Sequence, residues 1–312
     1  MSRIVALTGG TGFIGKAIWR ALEAVGWTVR PLIRPSFLER NPEFVSGKHF
    51  IQGTLADESS LHALVDGVNA IVHCAGRVQG VSREKFQQDN VDGVGRLARI
   101  AAEQVSAPHF LSISSLAARE PQLSSYAWSK QQGEMALERA AGRMKWIILR
   151  PPAVYGPGDQ AILPLFQWIQ RGIGLQLGSS QGRFSLLYVE DLASAVTQCL
   201  DQGIHSGRAF ELHDGKVGGY SWKEVFTQTT NKKVVPILIP GSLLSALASV
   251  NQILAKVLKY EPMLTYGKVR ELRHPNWVCD NTDLTQALGW EPSVPLAEGV
   301  QRTLYPYGHC SS

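Results

Sequence analysis

The chain has 312 residues, 44% hydrophobic and 18% charged, with four cysteines and 30 Gly beside 16 Pro. That composition excludes a disulfide-stapled miniprotein, a disordered chain and a collagen-like one, and leaves ample length for a buried core. The net charge of +5 suits anionic small molecules or a membrane surface; without a block of five Lys or Arg it argues for no nucleic-acid partner. Cys74, Cys199, Cys279 and Cys310 are far apart and form no CxxC pair, so neither a metal site nor a disulfide framework is expected. The first apolar run, Ile4 to Leu7, breaks at once into Thr8-Gly9-Gly10, unlike a signal peptide, and no stretch reaches about 18 uninterrupted apolar residues. The expected location is the cytoplasm.

Strand-like runs at 4–7, 28–33, 70–73, 109–113 and 146–149 alternate with helical spacing at 13–25, 59–65, 83–104 and 125–141. This alternation predicts an α/β fold, a doubly wound parallel sheet with helices on both faces. After Arg150 the rhythm changes: Pro151-Pro152 and Tyr155-Gly156-Pro157-Gly158-Asp159 are loop chemistry, followed by a helix near 162–170. We therefore expect a first domain over 1–153 and a smaller, mostly helical substrate-binding domain over 154–312, with 184–213 returning to the first. In 242–258, Leu243, Leu244, Leu247, Val250, Ile253, Leu254, Val257 and Leu258 recur at helical spacing beside Lys256 and Lys259. The spacing predicts a packing helix, with an interfacial membrane contact or a wall for an apolar substrate as alternatives.

The first strand runs into Thr8-Gly9-Gly10-Thr11-Gly12-Phe13-Ile14-Gly15, a glycine turn between a strand and an amphipathic helix. Glycine lets backbone N–H groups approach a diphosphate, and the helix start is positive, so Gly9, Thr11, Gly12, Phe13, Ile14 and Gly15 are read as dinucleotide-binding. Arg34, at the end of the second strand, suits a ribose 2′-phosphate better than a 2′-hydroxyl, favouring NADP over NAD; Arg30 and Lys48 compete for that role. In Gly53-Thr54-Leu55-Ala56-Asp57, Asp57 either accepts from the adenine amino group or caps the helix that follows, and Leu55 is read with it as cofactor-binding.

Tyr126-Ala127-Trp128-Ser129-Lys130 puts a phenol and an ammonium four residues apart, on one helix face. To serve as a base near neutrality a tyrosine pKa must fall from about 10 toward 7, roughly 4 kcal/mol, which a neighbouring ammonium helps supply. Upstream, Ser112-Ile113-Ser114-Ser115 closes a strand whose carboxyl end faces the ligand crevice of such sheets. Ser115, with Ser114 beside it, can hydrogen-bond a reacting oxygen.

These three signals, in this order, resemble the extended short-chain dehydrogenase/reductases, the NAD-dependent epimerase/dehydratase branch. His73-Cys74-Ala75-Gly76, Asn90-Val91-Asp92-Gly93, Arg150 through Gly158 and Tyr188 through Ala193 extend the similarity over most of the chain. The resemblance implies a Rossmann domain over 1–153 and a catalytic set of Ser115, Tyr126 and Lys130, with Tyr126 and Lys130 also touching the cofactor. It further implies Ala75 and Gly76 against the dinucleotide, a structural Asp191, and a homodimer through the helices at 83–104 and 125–141.

Departures from the family pattern bear on the substrate. Sugar-nucleotide dehydratases of the family carry Thr-Asp-Glu where this chain has Ser115-Leu116-Ala117, which lacks both acids needed for elimination. Pro152 and Ala153 replace the asparagine with which nucleotide-sugar epimerases contact a diphosphate. Leu32-Ile33-Arg34-Pro35 and the tail Leu288-Gly289-Trp290-Glu291-Pro292 look more like dihydroflavonol reductases and 3β-hydroxysteroid dehydrogenases. Tyr155, Phe166 and Trp168 are read as candidate walls of an apolar pocket. The leading expectation is an NADP(H)-dependent oxidoreductase interconverting a secondary alcohol and a ketone of a small-molecule substrate; a nucleotide-sugar epimerase and a non-catalytic NADP sensor are the rivals.

Overall fold

A computed structural model describes residues 3–45, 49–178, 181–203 and 207–306; Lys48 and Cys310 lie outside the described residues. The first half alternates β1 (Arg3–Thr8), α1 (Phe13–Ala24), β2 (Trp27–Ile33), α2 (Pro35–Leu38), β3 (Ile51–Gln52), α3 (Glu58–Val65) and β4 (Ala70–His73). It continues through α4 (Arg83–Gln87), a π-helical turn (Gln88–Asp92), α5 (Gly93–Ala102), β5 (His109–Ile113), α6 (Ser125–Ala140) and β6 (Trp146–Arg150). The second half holds β7 (Ala153–Tyr155), α7 (Leu163–Gln170), β8 (Ile173–Gln176), β9 (Arg183–Phe184), β10 (Leu186–Tyr188), α8 (Val189–Asp201) and β11 (Arg208–Glu211). After these come α9 (Trp222–Thr229), β12 (Val235–Leu238), α10 (Gly241–Leu258), α11 (Tyr266–Arg273), β13 (Asn276–Trp277), α12 (Thr282–Leu288) and α13 (Leu296–Leu304).

The main sheet is parallel throughout, in the order β11-β6-β5-β4-β1-β2-β3. Its central strands β1, β4, β5 and β6 are largely apolar on both faces, as strands sandwiched between helices must be. Side-chain alternation sorts them: Val5, Leu7, Val72, Leu111, Ile113, Ile147 and Leu149 enter the core beneath α1 and α8. The intervening Ala6, Ile71, Phe110 and Ile148 enter the opposite core with Leu61, Leu97 and Leu137 of α3, α5 and α6. A slip of one residue in any strand would exchange these two sets. The chain order reverses between β1 and β4, so the crevice at their carboxyl ends is where such a sheet takes a ligand.

A separate core gathers Tyr155, Phe166, Tyr188, Trp222, Phe226 and Leu296, and three two-stranded parallel pairs, β10-β7, β12-β8 and β13-β9, complete the second half. This corrects the reading of Tyr155 and Phe166 as pocket walls. Both are 0% exposed, stacked edge to face at 5.5 Å, and burial drives the Tyr155 phenol pKa far up. An aromatic after a Pro-Pro pair reads the same in sequence whether it closes a pocket or fills a core. The segment at 242–258 also departs from a simple packing helix: of α10, only Leu244, Ala248 and Ala255 are buried.

Candidate active site

The glycine turn sits at the carboxyl end of β1. Gly9 has φ +74°, and a Cβ there would lie 2.6 Å from the Ala75 nitrogen; at Gly15 it would lie 2.0 Å from the Gly9 oxygen. Those two glycines serve the protein's own packing, bringing the turn against the loop after β4 and the helix against the turn. Gly12 differs, because a Cβ there would meet only the Gly9 oxygen at 3.4 Å. It is the N-cap of α1, with no side chain capping the helix and no acidic residue in the first turn. The amides at 13–15 therefore open onto free space at the positive end of a twelve-residue helix, a cradle that fits a dinucleotide diphosphate. Thr11, Phe13 and Ile14 are partly exposed around it.

Arg34 is exposed at the end of β2, and no ion pair among the described residues engages it. Arg30, its competitor, is committed to the carbonyl of Asp66 at 2.6 Å. Asp57 caps α3, its Oδ1 accepting from the Ser59 amide at 3.1 Å and hydroxyl at 2.8 Å; the Ser59 hydroxyl bond chiefly holds its carboxyl below the ordinary value. Leu55 packs on Gly93 of α5, and its carbonyl accepts from Arg96 at 2.6 Å.

Behind the turn, Thr8 Oγ1 accepts from the Ala75 amide at 3.2 Å and lies 2.9 Å from His73 Nδ1. Burial, and then the Lys130 charge, push the His73 pKa down to about 3, so this imidazole is neutral. Asn90 fixes the same loop: Oδ1 accepts from the Arg77 amide at 2.6 Å, and Nδ2 donates to the Arg77 carbonyl and to Ser129 Oγ, both at 2.9 Å. It stands in the π-helical turn, whose widened backbone packs against α6 where only glycine fits, since a Cβ on Gly133 would come 2.3 Å from the Asn90 oxygen.

The α6 helix carries Tyr126 and Lys130 one turn apart. Lys130 Nζ donates to the Ile113 carbonyl at 3.1 Å and lies 3.5 Å from where a Gly76 Cβ would be. The lysine thus joins the end of β5, the loop holding Ala75 and Gly76, and the face bearing Tyr126. Ser115 lies two residues past the end of β5; its Oγ accepts from the Ala117 amide at 3.2 Å, leaving its O–H available to a ligand. Ser114 is corrected from substrate contact to scaffold. It is buried, and its hydroxyl donates to Glu134 Oε1 at 2.5 Å, the same carboxylate that takes Arg150 Nε and Nη2 at 2.9 and 2.6 Å.

Tyr126 lines a cavity of about 170 Å³ with Val78, Phe86, Gln252, Met263, Tyr266 and Lys268; Phe86 meets the phenol ring edge-on at 6.3 Å. Burial opposes the charge of Lys268, but Glu271, accepting from Nζ at 2.9 Å, outweighs it and holds the ammonium above its ordinary value. Lys268 of α11 thus brings a second cation to the cavity that Tyr126 lines. Ser124 N-caps α6 by accepting from the Ala127 amide at 2.9 Å and donates its hydroxyl to Glu271, fastening the start of α6 to α11. Lys268 and Glu271 escaped the sequence reading because nothing local marks a helix more than 130 positions from Tyr126 as its neighbour.

Residues 5–212 match the NAD dependent epimerase/dehydratase family. Ceramide reductase of Caulobacter vibrioides is 35% identical over 309 residues, covering 95% of this chain and 89% of that protein. The decarboxylating sterol-4-alpha-carboxylate 3-dehydrogenase of Dictyostelium discoideum is 26% identical over 300 residues, covering 84% of this chain and 88% of its own length. Among solved structures, the Bordetella bronchiseptica enzyme WbmH in complex with NAD+ superposes with a TM-score of 0.70 at 19% identity, covering 99% of this chain and 100% of that one. With the family match running from β1 to the end of the parallel sheet, and a relative this similar along nearly the whole length, the chain belongs to the NAD dependent epimerase/dehydratase family.

Proposed function

We propose that this protein is an NADP(H)-dependent reductase of a ketone on an apolar, lipid-like substrate, with Ser115, Tyr126 and Lys130 as its catalytic residues. The observation that carries the reading is the Lys130 bond to Ile113, which sets the Tyr126 face of α6 against the end of the serine-bearing strand, across from the open glycine cradle. On this reading the parallel-sheet half holds the dinucleotide and the 154–312 half, less its returning strand, holds the substrate.

Ser115 donates its hydroxyl to the substrate oxygen and fixes where that oxygen sits. Tyr126 faces the same oxygen and delivers the proton that completes the alcohol, or removes it in the reverse direction. Lys130, one turn along α6 from Tyr126, holds its ammonium beside the site of proton transfer. When bound, the dinucleotide supplies the hydride, so that hydride plus proton convert the carbonyl to a secondary alcohol. Gly12 and the α1 amides would hold its diphosphate, Arg34 its 2′-phosphate, and Ala75 and Gly76 would lie against it.

An apolar substrate is favoured by Val78, Phe86 and Met263 around Tyr126, by Leu116 and Ala117 where dehydration would need acids, and by the likeness to a ceramide reductase. The test is nicotinamide absorbance on mixing the protein with NADPH and long-chain keto-lipids, steroid ketones or flavonoid ketones, with UDP-sugars followed in parallel for isomerisation. Oxidation of NADPH by wild type, reduced at least about 100-fold in Tyr126→Phe while NADPH affinity stays within about threefold, is the expected result. Isomerisation of a UDP-sugar at constant absorbance would replace this reading with epimerisation. Full activity in Tyr126→Phe would remove the tyrosine from the chemistry.

A further inference from the structure

The α10 helix has three faces. At about 100° per residue, Leu244, Ala248 and Ala255 point into the small core shared with Val269 of α11. Beside that face runs a polar stripe, Ser245, Ser249, Gln252 and Lys256. The remaining arc, about 140° wide, carries only apolar side chains, and it faces outward: Leu243, Leu247, Val250, Ile253, Leu254 and Val257 are 46–71% exposed. A surface helix ordinarily turns charge to solvent there. The adjoining β12 continues the pattern, with Val235, Ile237 and Leu238 exposed by 56%, 42% and 53%. A contiguous apolar face of this kind marks an interaction surface.

The surroundings indicate what covers it. Between Glu224 and Glu261 the chain has no acidic residue, while Lys232, Lys233, Lys256 and Lys259 are all exposed, and Arg270 and Arg273 line an open cleft beside α10. A second copy of the same face would set these like charges against one another, whereas anionic headgroups would meet them with opposite charge. By length and composition α10 could cross a bilayer, but both flanks of its buried face are tied to the protein. On one flank Asn251 Nδ2 donates to the Leu264 carbonyl at 3.0 Å, and on the other, in the polar stripe, Ser249 is hydrogen-bonded to Tyr266. Such a helix lies in the plane of the interface rather than through it.

We propose that the outward face of α10, with β12, docks on an anionic lipid bilayer. Gln252 on the inner side of α10, with Met263 and Tyr266, walls the Tyr126 cavity, so docking sets the site at the headgroup level, where a lipid substrate can enter without crossing water; this last step rests on the function proposed above. Glu261 holds the loop after α10 to the dinucleotide half, pairing with Arg77 at 3.3 Å and Lys85 at 2.8 Å.

The test is flotation of the full chain with phosphatidylcholine vesicles, with and without phosphatidylglycerol, in the absence of substrate and dinucleotide. Wild type should float with the anionic vesicles and less with the neutral ones. Ile253→Glu/Val257→Glu, at positions already 63% and 71% exposed, should bind at least about tenfold more weakly, with an unchanged melting temperature and unchanged turnover of a water-soluble ketone. Lys256→Glu/Lys259→Glu should abolish the preference for anionic vesicles. Wild type remaining unbound at every composition, or the apolar double variant floating as well as wild type, would overturn the proposal. So would a wild-type dimer that the same variant splits into monomers without any vesicle binding, which would assign the face to a second copy. Because flotation needs neither ketone nor NADPH, docking and reductase activity can fail separately.

Discussion

Two glycines three residues apart in one turn should respond oppositely to the same substitution. At Gly15 the added methyl would lie 2.0 Å from the Gly9 oxygen, 2.7 Å from the Gly9 carbonyl carbon and 2.9 Å from the Gly10 Cα. All three are backbone atoms, so relief requires opening the turn, and Gly15→Ala should cost about 3 kcal/mol or more. At roughly 2 °C per kcal/mol for a chain of this length, melting should fall by about 6 °C. At Gly12 the methyl meets only one oxygen at 3.4 Å, and the backbone, φ −80° and ψ 173°, accepts alanine without strain. A weaker helix cap and a less flexible unfolded chain offset each other, and stability should stay within about 0.5 kcal/mol. That methyl would project into the space above the α1 amides, so NADPH should bind at least about tenfold more weakly, roughly 1.4 kcal/mol. Thermal melting without ligand and fluorescence titration with NADPH separate the two effects. Unchanged NADPH affinity in Gly12→Ala would refute the assignment of the cradle, and an unchanged melting temperature in Gly15→Ala would refute the packing argument.

Three further expectations concern the surroundings of the site. Arg34→Ala should weaken NADPH by about tenfold or more and leave NADH within about threefold; equal losses for both would mean that the arginine does not read a 2′-phosphate. Glu134→Gln should destabilise the protein by about 2–3 kcal/mol in urea unfolding, because the carboxylate is 9% exposed and its partner Arg150 only 26%, and a loss under 0.5 kcal/mol would show the pair to be solvated. His73, with its folded pKa depressed to about 3 from about 6.5 in the unfolded chain, contributes stability that is complete above pH 6.5. That contribution is lost as the unfolded state alone takes up the proton on acidification. Between pH 6.5 and 4.5 the stability advantage of wild type over His73→Asn should shrink by about 1.4 kcal/mol per pH unit, and a pH-independent difference would mean that His73 titrates normally when folded.

Features set by local rules were readable in advance. The short apolar runs of β1, β4, β5 and β6 and the glycine turn before α1 follow from local composition and backbone geometry within a few residues, and Tyr126 with Lys130 follows from the rise of a single helix. What needed the folded chain was long-range. Ser114 looks as available as Ser115 until Glu134, twenty positions on, takes its hydroxyl. Tyr155 looks like a pocket aromatic until Phe166 and Tyr188 close over it. The α10 stripe is a matter of environment: leucine and valine at helical spacing predict which residues share a face, and only the packing of Leu244, Ala248 and Ala255 reveals that the wider apolar arc points away from the protein.

The π-helical turn at Gln88–Asp92 also acts as a phase shifter. One additional residue in a helical turn retards every later side chain by roughly 100° relative to an uninterrupted α-helix. Phe86 before the turn leans on the Tyr126 ring, while Val94, Leu97 and Ile100 after it enter the sheet core. A single continuous segment thereby serves two walls that a regular helix of the same sequence would have aimed differently. Removing one residue from 88–92 should therefore leave a longer, more regular helix that can satisfy the Tyr126 cavity or the core, but no longer both.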